Sequence, residues 1–324
     1  MDEALHPWML QADWRDDGRA YVLVDLASWP ADLPIDPLPP VPVIGVGPAA
    51  HPQARRVDML VEPPITLDML ASRIAGTPRT AATLIQLLRA IDGLPPERAL
   101  PLESFAFAML QAGAEHRAWL DRRTPAPPAA PGTLHATREG DQLDLLIDRP
   151  QARNAIDRAM RDALHEAFAL AAIDPGIARI RLRGRGRCFS MGADLAEFGT
   201  TRDPAEAHSI RARTLPAHMI ARRAAIIDVH VQGGCVGSGL EMAAFAGRIT
   251  AEHDAWFQLP EVAMGIIPGA GGCVSIPRRI GRQRAATLMI SGQRLRADVA
   301  LRWGLVDALV DYPATDDRGA DEVR

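Results

Sequence analysis

Residues 225–246, AIIDVHVQGGCVGSGLEMAAFA, decide how the chain is read. Ala225–Val231 reads as an apolar strand, Gly233–Gly239 as a glycine turn, and Leu240–Ala246 as the helix that the turn feeds. A helix entered this way leaves backbone N–H groups free beside the positive end of its dipole, where negative charge is stabilised. Toward the N-terminus lie an alternating strand Gln142–Asp148, an amphipathic helix Ile156–Ala171, a strand Ile177–Arg183, a loop Gly184–Gly192 and a helical stretch Asp203–Arg223. Toward the C-terminus, Arg248–Ala251 and Ala255–Leu259 precede a second glycine turn, Gly269–Gly272, and further helices. Strands and helices that alternate in this way give a layered α/β fold.

Two familiar uses of such turns fail. A dinucleotide fingerprint, GxGxxG, needs a third glycine where this chain has Met242, Phe189 and Val274, counted from Gly237, Gly184 and Gly269. A serine nucleophile elbow, GxSxG, needs glycine two residues before Ser238, and Val236 stands there.

Composition narrows the classes further. The chain has 324 residues, 48% hydrophobic and 23% charged, which fits an ordinary folded protein and excludes a disordered, collagenous or coiled-coil one. Its formal charge is −4, so no broad nucleic-acid footprint is expected. Every basic residue is arginine, which removes lysine Schiff-base chemistry and the P-loop. Cys188, Cys235 and Cys273 are far apart, so neither a disulfide framework nor a metal site is expected. No basic, apolar leader and no 18-residue uncharged apolar run occur, so the expectation is a soluble cytoplasmic protein with no membrane or nucleic-acid partner. His230 reads as a core histidine, Cys188 and Cys235 as small buried fillers, and Arg179, Arg181 and Arg183 as a solvated strand face.

TPAPPAAPG, residues 124–132, reads as a semi-rigid linker, because repeated proline opposes both helix and ladder. It separates residues 1–123 from a core at 133–312, and 313–324 read as a frayed tail. Before the linker, Tyr21–Leu26 and Val41–Val46 read as short strands. Thr66–Ala75, Thr80–Ile91 and Leu102–Arg122 read as helices, with Pro78 and Pro101 placed where helices begin.

Three segments remain: Ser190-Met191-Gly192-Ala193-Asp194-Leu195, then Gly237-Ser238-Gly239-Leu240-Glu241, then Leu259-Pro260-Glu261 followed by Gly265-Ile266-Ile267-Pro268-Gly269-Ala270-Gly271-Gly272. In this order they resemble the enoyl-CoA hydratase/isomerase (crotonase) superfamily. The likeness runs from Leu143–Pro150 through Ala152-Arg153-Asn154-Ala155 to Ala300–Asp307. It implies a crotonase-like ββα spiral core behind an N-terminal, mainly helical region. Relatives normally continue for several helices after Gly304-Leu305-Val306-Asp307, and this chain ends 17 residues after Asp307. Thr80–Arg123 resembles those helices, so helices within 66–123 are expected to replace them.

The resemblance also implies chemistry. The thioester oxygen would accept backbone N–H bonds from Ala193 and Ser238, an oxyanion hole for enolate-like charge. Serine at 238 replaces the more frequent glycine and still supplies the N–H. Glu241 and Glu261, 20 residues apart, match the two glutamates of the family's hydratases. Coenzyme A, present only as part of the substrate, would lie along Arg153, Asn154, Ala155, Arg187, Ser190, Gly192, Asp194 and Leu195. The pairs Arg185, Arg187 and Arg278, Arg279 are candidates for its phosphates. No other cofactor and no metal are implied. Water addition to a 2-enoyl-CoA is the activity expected, in a homotrimer or dimer of trimers. The alternatives are an isomerase or acyl-CoA hydrolase of the same superfamily, or a catalytically silent acyl-CoA-binding or assembly protein. Phe198, His208, Leu215 and Met219 are expected beside the acyl pocket.

Overall fold

Three parallel strands come first in the computed structural model, which describes residues 18–124 and 129–311. They are β1 (Val22–Asp25), β2 (Val43–Val46) and β3 (Met59–Leu60), paired in the order β1-β2-β3. The proline-rich stretch between β1 and β2 cannot supply ladder N–H groups and forms the connection. Val22, Val24, Leu26, Trp29, Ile35 and Val57 close a small core of their own. Asp58, fully buried, accepts from Val43 N at 2.9 Å and pairs with Arg89 and Arg282, fixing this sheet to the helices that follow.

Four helices come next: α1 (Leu67–Gly76), α2 (Pro78–Ala90), α3 (Pro96–Gln111) and α4 (Ala114–Arg122). Pro78 opens α2 as expected, because the missing N–H is unpaired there in any case. Pro101 does not open a helix. It lies inside α3, which starts at Pro96, and the expected single helix Leu102–Arg122 breaks where Gly113 turns extended (φ −75°, ψ 162°) to cap α4.

Beyond the linker, β4 (Thr133–Glu139) pairs antiparallel with β5 (Gln142–Asp148), which alternates buried and half-buried residues as its sequence does. Helix α5 (Arg158–Ile173) is capped by Asp157, whose side chain accepts from Met160 N. Strand β6 (Arg179–Gly184) follows. The expected helix Asp203–Arg223 is two helices, α6 (Pro204–Thr214) and α7 (Ala217–Arg223), because Pro216 forces Leu215 into the extended region (φ −69°, ψ 126°). Strands β7 (Ile227–Val231) and β8 (Gly234–Val236) lead into α8 (Ser238–Ala243), and then come β9 (Arg248–Ala251) and β10 (Trp256–Gln258). The chain continues through α9 (Gly272–Ser291), β11 (Leu295–Arg296), α10 (Ala297–Trp303) and β12 (Ala308–Leu309). Helix α9 is kinked at Gly281.

The strands build a six-stranded sheet, β12-β9-β7-β6-β5-β4, parallel except at β4, and a smaller one, β11-β10-β8. One apolar cluster runs from Ile44 through α1–α3 to Val306, so the N-terminal helices and the core bury their faces against each other. Of the proposed linker, residues 125–128 lie outside the described residues, as does the tail 313–324.

Candidate active site

One cavity of about 210 Å³ gathers Ala193, Ser238, Glu241 and Glu261. Each comes from a different piece of local structure. Ala193 follows Gly192 (φ +89°) in the loop after β6 and pairs as a parallel bridge with Ile156. Ile156 N donates to Gly192 O, and Asp194 N donates to Ile156 O. That ladder uses the residues on either side of Ala193, so the Ala193 N–H points away from it. Ser238 is the first residue of α8, whose leading N–H groups have no intrahelical partner. The preceding Gly237 takes up the turn at φ +48°, where an added Cβ would come within 2.7 Å of Glu261 Oε1. Among the described residues other than glycine only Arg153 and Asn154 have positive φ, so Ser238 is not held in a left-handed conformation.

The two carboxyl groups differ in their surroundings. Glu241, on α8, is 2% exposed, and its Oε2 accepts from Ala270 N at 2.6 Å and Gly272 N at 2.8 Å, at the start of α9. Burial raises its pKa, while those two N–H groups and the Arg211 guanidinium pull it down, leaving it at about 7. Glu261 begins a single 3-10 turn and is 8% exposed, and its Oε2 has no hydrogen-bond partner among the described residues. Burial first, and repulsion by Glu241 second, hold its pKa well above the ordinary carboxylate range.

A third carboxylate comes from the N-terminal region. Glu103 on α3, 1% exposed, accepts from Gly271 N at 2.7 Å and Cys273 N at 2.8 Å. Glu241 and Glu103 thus take alternate N–H groups of one segment, residues 270–273. Burial and the charge of Glu241 raise the pKa of Glu103 well above its usual value. Phe107, also on α3, sits so close to Gly269 that a Cβ there would lie 2.0 Å from its ring. Arg211 stacks on that ring at 3.7 Å, and burial lowers its pKa to about 10. Glu103 was placed in a helical run by its sequence, but nothing in the pattern pointed it at the glycine turn. Phe107, Gln111 and His116, which also line the cavity, carry no motif either.

The residues assigned to coenzyme A fall into two groups. Asn154 is fully buried and stitches a turn to a loop, donating to Arg185 O and Cys188 O and accepting from Arg149 N. Ser190, also fully buried, donates to Asn154 O and accepts from Gly192 N at 3.2 Å. Arg153 O accepts from Met191 N, drawing the turn around Arg153 and Ala155 onto the loop of residues 185–195. Asp194 pairs with Arg149 and reaches the cavity, whereas Arg187 and Leu195, on the same loop, are exposed. Arg185 pairs with Asp148. Arg278 and Arg279 donate to carbonyls of Val274, Leu94, Ala244 and Ala246, which ties them to structure around α9. Phe198 and Leu215 line the cavity. His208 instead meets Ser104 Oγ at 2.9 Å, and Met219 packs against the main core.

Comparison with known proteins adds a family. Residues 143–315 match the model of the enoyl-CoA hydratase/isomerase family, 53% of the chain being the span of the similarity to a first relative, 2,3-dehydroadipyl-CoA hydratase of Escherichia coli. That relative is 34% identical over 173 residues, with 67% of its own length covered. The chain belongs to the enoyl-CoA hydratase/isomerase family. Mevalonyl-coenzyme A hydratase of Aspergillus fumigatus is 32% identical over 189 residues, 58% of this chain and 70% of its own. Carnitinyl-CoA dehydratase of Salmonella agona is 34% identical over 185 residues, 55% of this chain and 68% of its own. Among solved structures, enoyl-CoA hydratase from Thermoplasma volcanium superposes with a TM-score of 0.50 at 36% identity, covering 56% of this chain and 73% of that one. The fold is therefore that of the crotonase superfamily, and its named members here are hydratases and dehydratases of CoA thioesters. The family match begins at Leu143, so β1–β3 and α1–α4 lie outside it.

Proposed function

We propose that this chain adds water reversibly to the double bond of a 2-enoyl-CoA thioester. The observation that carries the proposal is the pair of buried carboxyl groups, Glu241 and Glu261, sharing one cavity with Ala193 and Ser238. Environments that separate two carboxyl groups assign their roles. Glu241, at about 7, is about half ionised at neutral pH and serves as the base, whereas burial and the charge of Glu241 favour the protonated form of Glu261, which serves as the acid. Water adds its oxygen to Cβ as Glu241 takes one of its protons, and Glu261 delivers a proton to Cα. Between these events the thioester oxygen carries enolate charge, and the Ala193 and Ser238 N–H groups receive it. The products are a 3-hydroxyacyl-CoA, protonated Glu241 and ionised Glu261, and a proton passing between them restores the start.

The CoA portion is assigned to the turn at Arg153, Asn154 and Ala155 and to the loop carrying Arg187, Ser190, Gly192, Asp194 and Leu195. Asn154 and Ser190 would act by shaping it, since both side chains are committed to backbone partners. No further cofactor is called for by this chemistry. A trimer or dimer of trimers, carried over from the resemblance, and a cytoplasmic location, carried over from the scattered cysteines, belong to the same proposal. Helices α3 and α4, bonded to the start of α9 and to Met264, are further proposed to stand where relatives have helices after the Gly-Leu-Val-Asp segment.

Glu261→Gln tests the reaction. It keeps the shape, removes the proton donor, and should lower kcat by about 10²–10⁴-fold with thioester binding nearly unchanged. A variant with more than about a tenth of wild-type kcat would remove Glu261 from the chemistry.

A further inference from the structure

His116, on α4, lines the same cavity as Glu241 and Glu261 although it lies outside the family match. It is 1% exposed. Its Nδ1 is 2.8 Å from the carbonyl oxygen of Met264, and a carbonyl only accepts, so Nδ1 carries the proton. Nε2 is left with a lone pair, and it is buried with no hydrogen-bond partner among the described residues. Burial lowers the pKa of the ring, the Met264 bond opposes that, and the Arg123 guanidinium lowers it further, so the ring is neutral at pH 7. Its orientation is fixed by stacking on Trp119 at 5.5 Å and by a tilted contact with Phe198 at 6.2 Å. Gln111, the neighbouring polar residue of this wall, is already committed: it donates to Thr201 O at 2.6 Å and accepts from Arg211 at 3.1 Å.

A lone pair held in this manner calls for a donor. A carboxylate has no proton to give, and a substrate ammonium would meet the same positive charge from Arg123 that already acts on the ring. A neutral O–H or N–H remains. Coenzyme A brings amide N–H groups in its pantetheine arm, and the acyl chain can bring a hydroxyl. Phe198, which lines the cavity and meets the imidazole ring, fits the acyl chain better than the polar arm. We propose that His116 Nε2 accepts a hydrogen bond from a hydroxyl group on the acyl chain beyond the reacting double bond, so that the preferred substrates are hydroxylated acyl-CoA thioesters. This rests on the cavity being the acyl-CoA site, but not on hydration itself.

Binding of saturated thioesters, which cannot be hydrated, separates the two. Hexanoyl-CoA and its 3-, 4-, 5- and 6-hydroxy derivatives are titrated calorimetrically into the full chain and into His116→Phe. An unpaired buried acceptor should make wild type bind at least one of the 4-, 5- or 6-hydroxy compounds about 10–100-fold more tightly than hexanoyl-CoA. His116→Phe should lose that preference and bind hexanoyl-CoA at least as well as wild type. No preference in wild type, a preference for the 3-hydroxy compound alone, a preference that survives in His116→Phe, or equal weakening of every ligand would each overturn the proposal, the last by pointing to the pantetheine amides. If the variant does not fold, the ¹⁵N shift of His116 Nε2 in wild type decides. It should move on binding the preferred hydroxy compound and not on binding hexanoyl-CoA, and an equal response to both would overturn the assignment. A preference for hydroxylated ligands without turnover of any enoyl-CoA would sink the hydratase reading and leave this one standing.

Discussion

Glu103→Gln probes the link between the N-terminal helices and the turn that holds Glu241. Glutamine keeps the volume and one carbonyl oxygen, but its NH₂ must face either Gly271 N–H or Cys273 N–H, both of which are donors. One hydrogen bond is lost, about 0.5–1.5 kcal/mol, and one buried N–H is left unpaired, about 1–3 kcal/mol. Relief of the repulsion with Glu241 offsets part of this, so a net loss of about 1–4 kcal/mol is expected. At roughly 2–4 °C per kcal/mol for chains of this order of size, Tm should fall by roughly 2–15 °C. The same segment gives Ala270 N and Gly272 N to Glu241, so a shift of the turn moves the proposed base. Misplacement by about 1 Å can cost about 10²-fold in rate, and kcat should fall at least about 10-fold with KM changing less. Calorimetry and steady-state kinetics on the purified variant read both quantities. A Tm within about 2 °C of wild type together with kcat within about 2-fold would refute the reasoning, because neither the clamp nor its reach to Glu241 would then matter.

Other expectations concern the same cluster. Glu241 holds a pKa of about 7 against an ordinary 4.5, so the folded state binds more protons than the unfolded one in that interval. Its contribution to stability is complete below about 4.5 and is lost as pH rises through about 7. Glu241→Gln should therefore gain stability over wild type at pH 8 relative to pH 4, on the order of 3 kcal/mol, as urea unfolding at the two pH values would show. Equal differences at both would contradict the burial argument. In the wild type, kcat/KM should rise with pH through about 7 as Glu241 ionises, and a flat profile from pH 5 to 9 would remove it as the base. Residues 133–324 expressed alone should aggregate, since the faces of the core that α3 and α4 cover would be bare, and residues 66–123 added as a separate chain should restore solubility. A soluble, active truncation would show that the N-terminal helices do not complete the core.

How much of this was legible depended on the range of the signal. Strand β5 was readable to its ends because Leu143, Leu145 and Ile147 alternate against a half-buried face. The Glu241 and Glu261 pair was legible only through the resemblance of its surrounding segments to the crotonase superfamily, because a lone glutamate is more often a solvated charge. Strand β4 was not read, since its residues are largely exposed and show no burial period. Helix breaks at Gly113 and Pro216 were overrun by periodicity on both sides, although proline's restriction of the preceding residue was a sufficient local cause at Leu215. Glu103 and His116 were beyond reach in a different way. Their roles come from partners at Gly271, Cys273 and Met264, more than 140 residues away, and a lone glutamate or histidine on a helix carries no trace of such a contact.

The central claim is that water is added across the double bond, and isotopes from solvent test it most directly. Crotonyl-CoA is incubated with the full chain in H₂¹⁸O and, separately, in D₂O, and the thioester product is analysed by mass spectrometry. Hydration by Glu241 and Glu261 predicts 3-hydroxybutyryl-CoA carrying ¹⁸O on C3 from the first solvent and deuterium on C2 from the second. Deuterium in a shifted alkene without ¹⁸O, or free CoA with ¹⁸O in the released carboxylate, would contradict it in favour of an isomerase or a hydrolase.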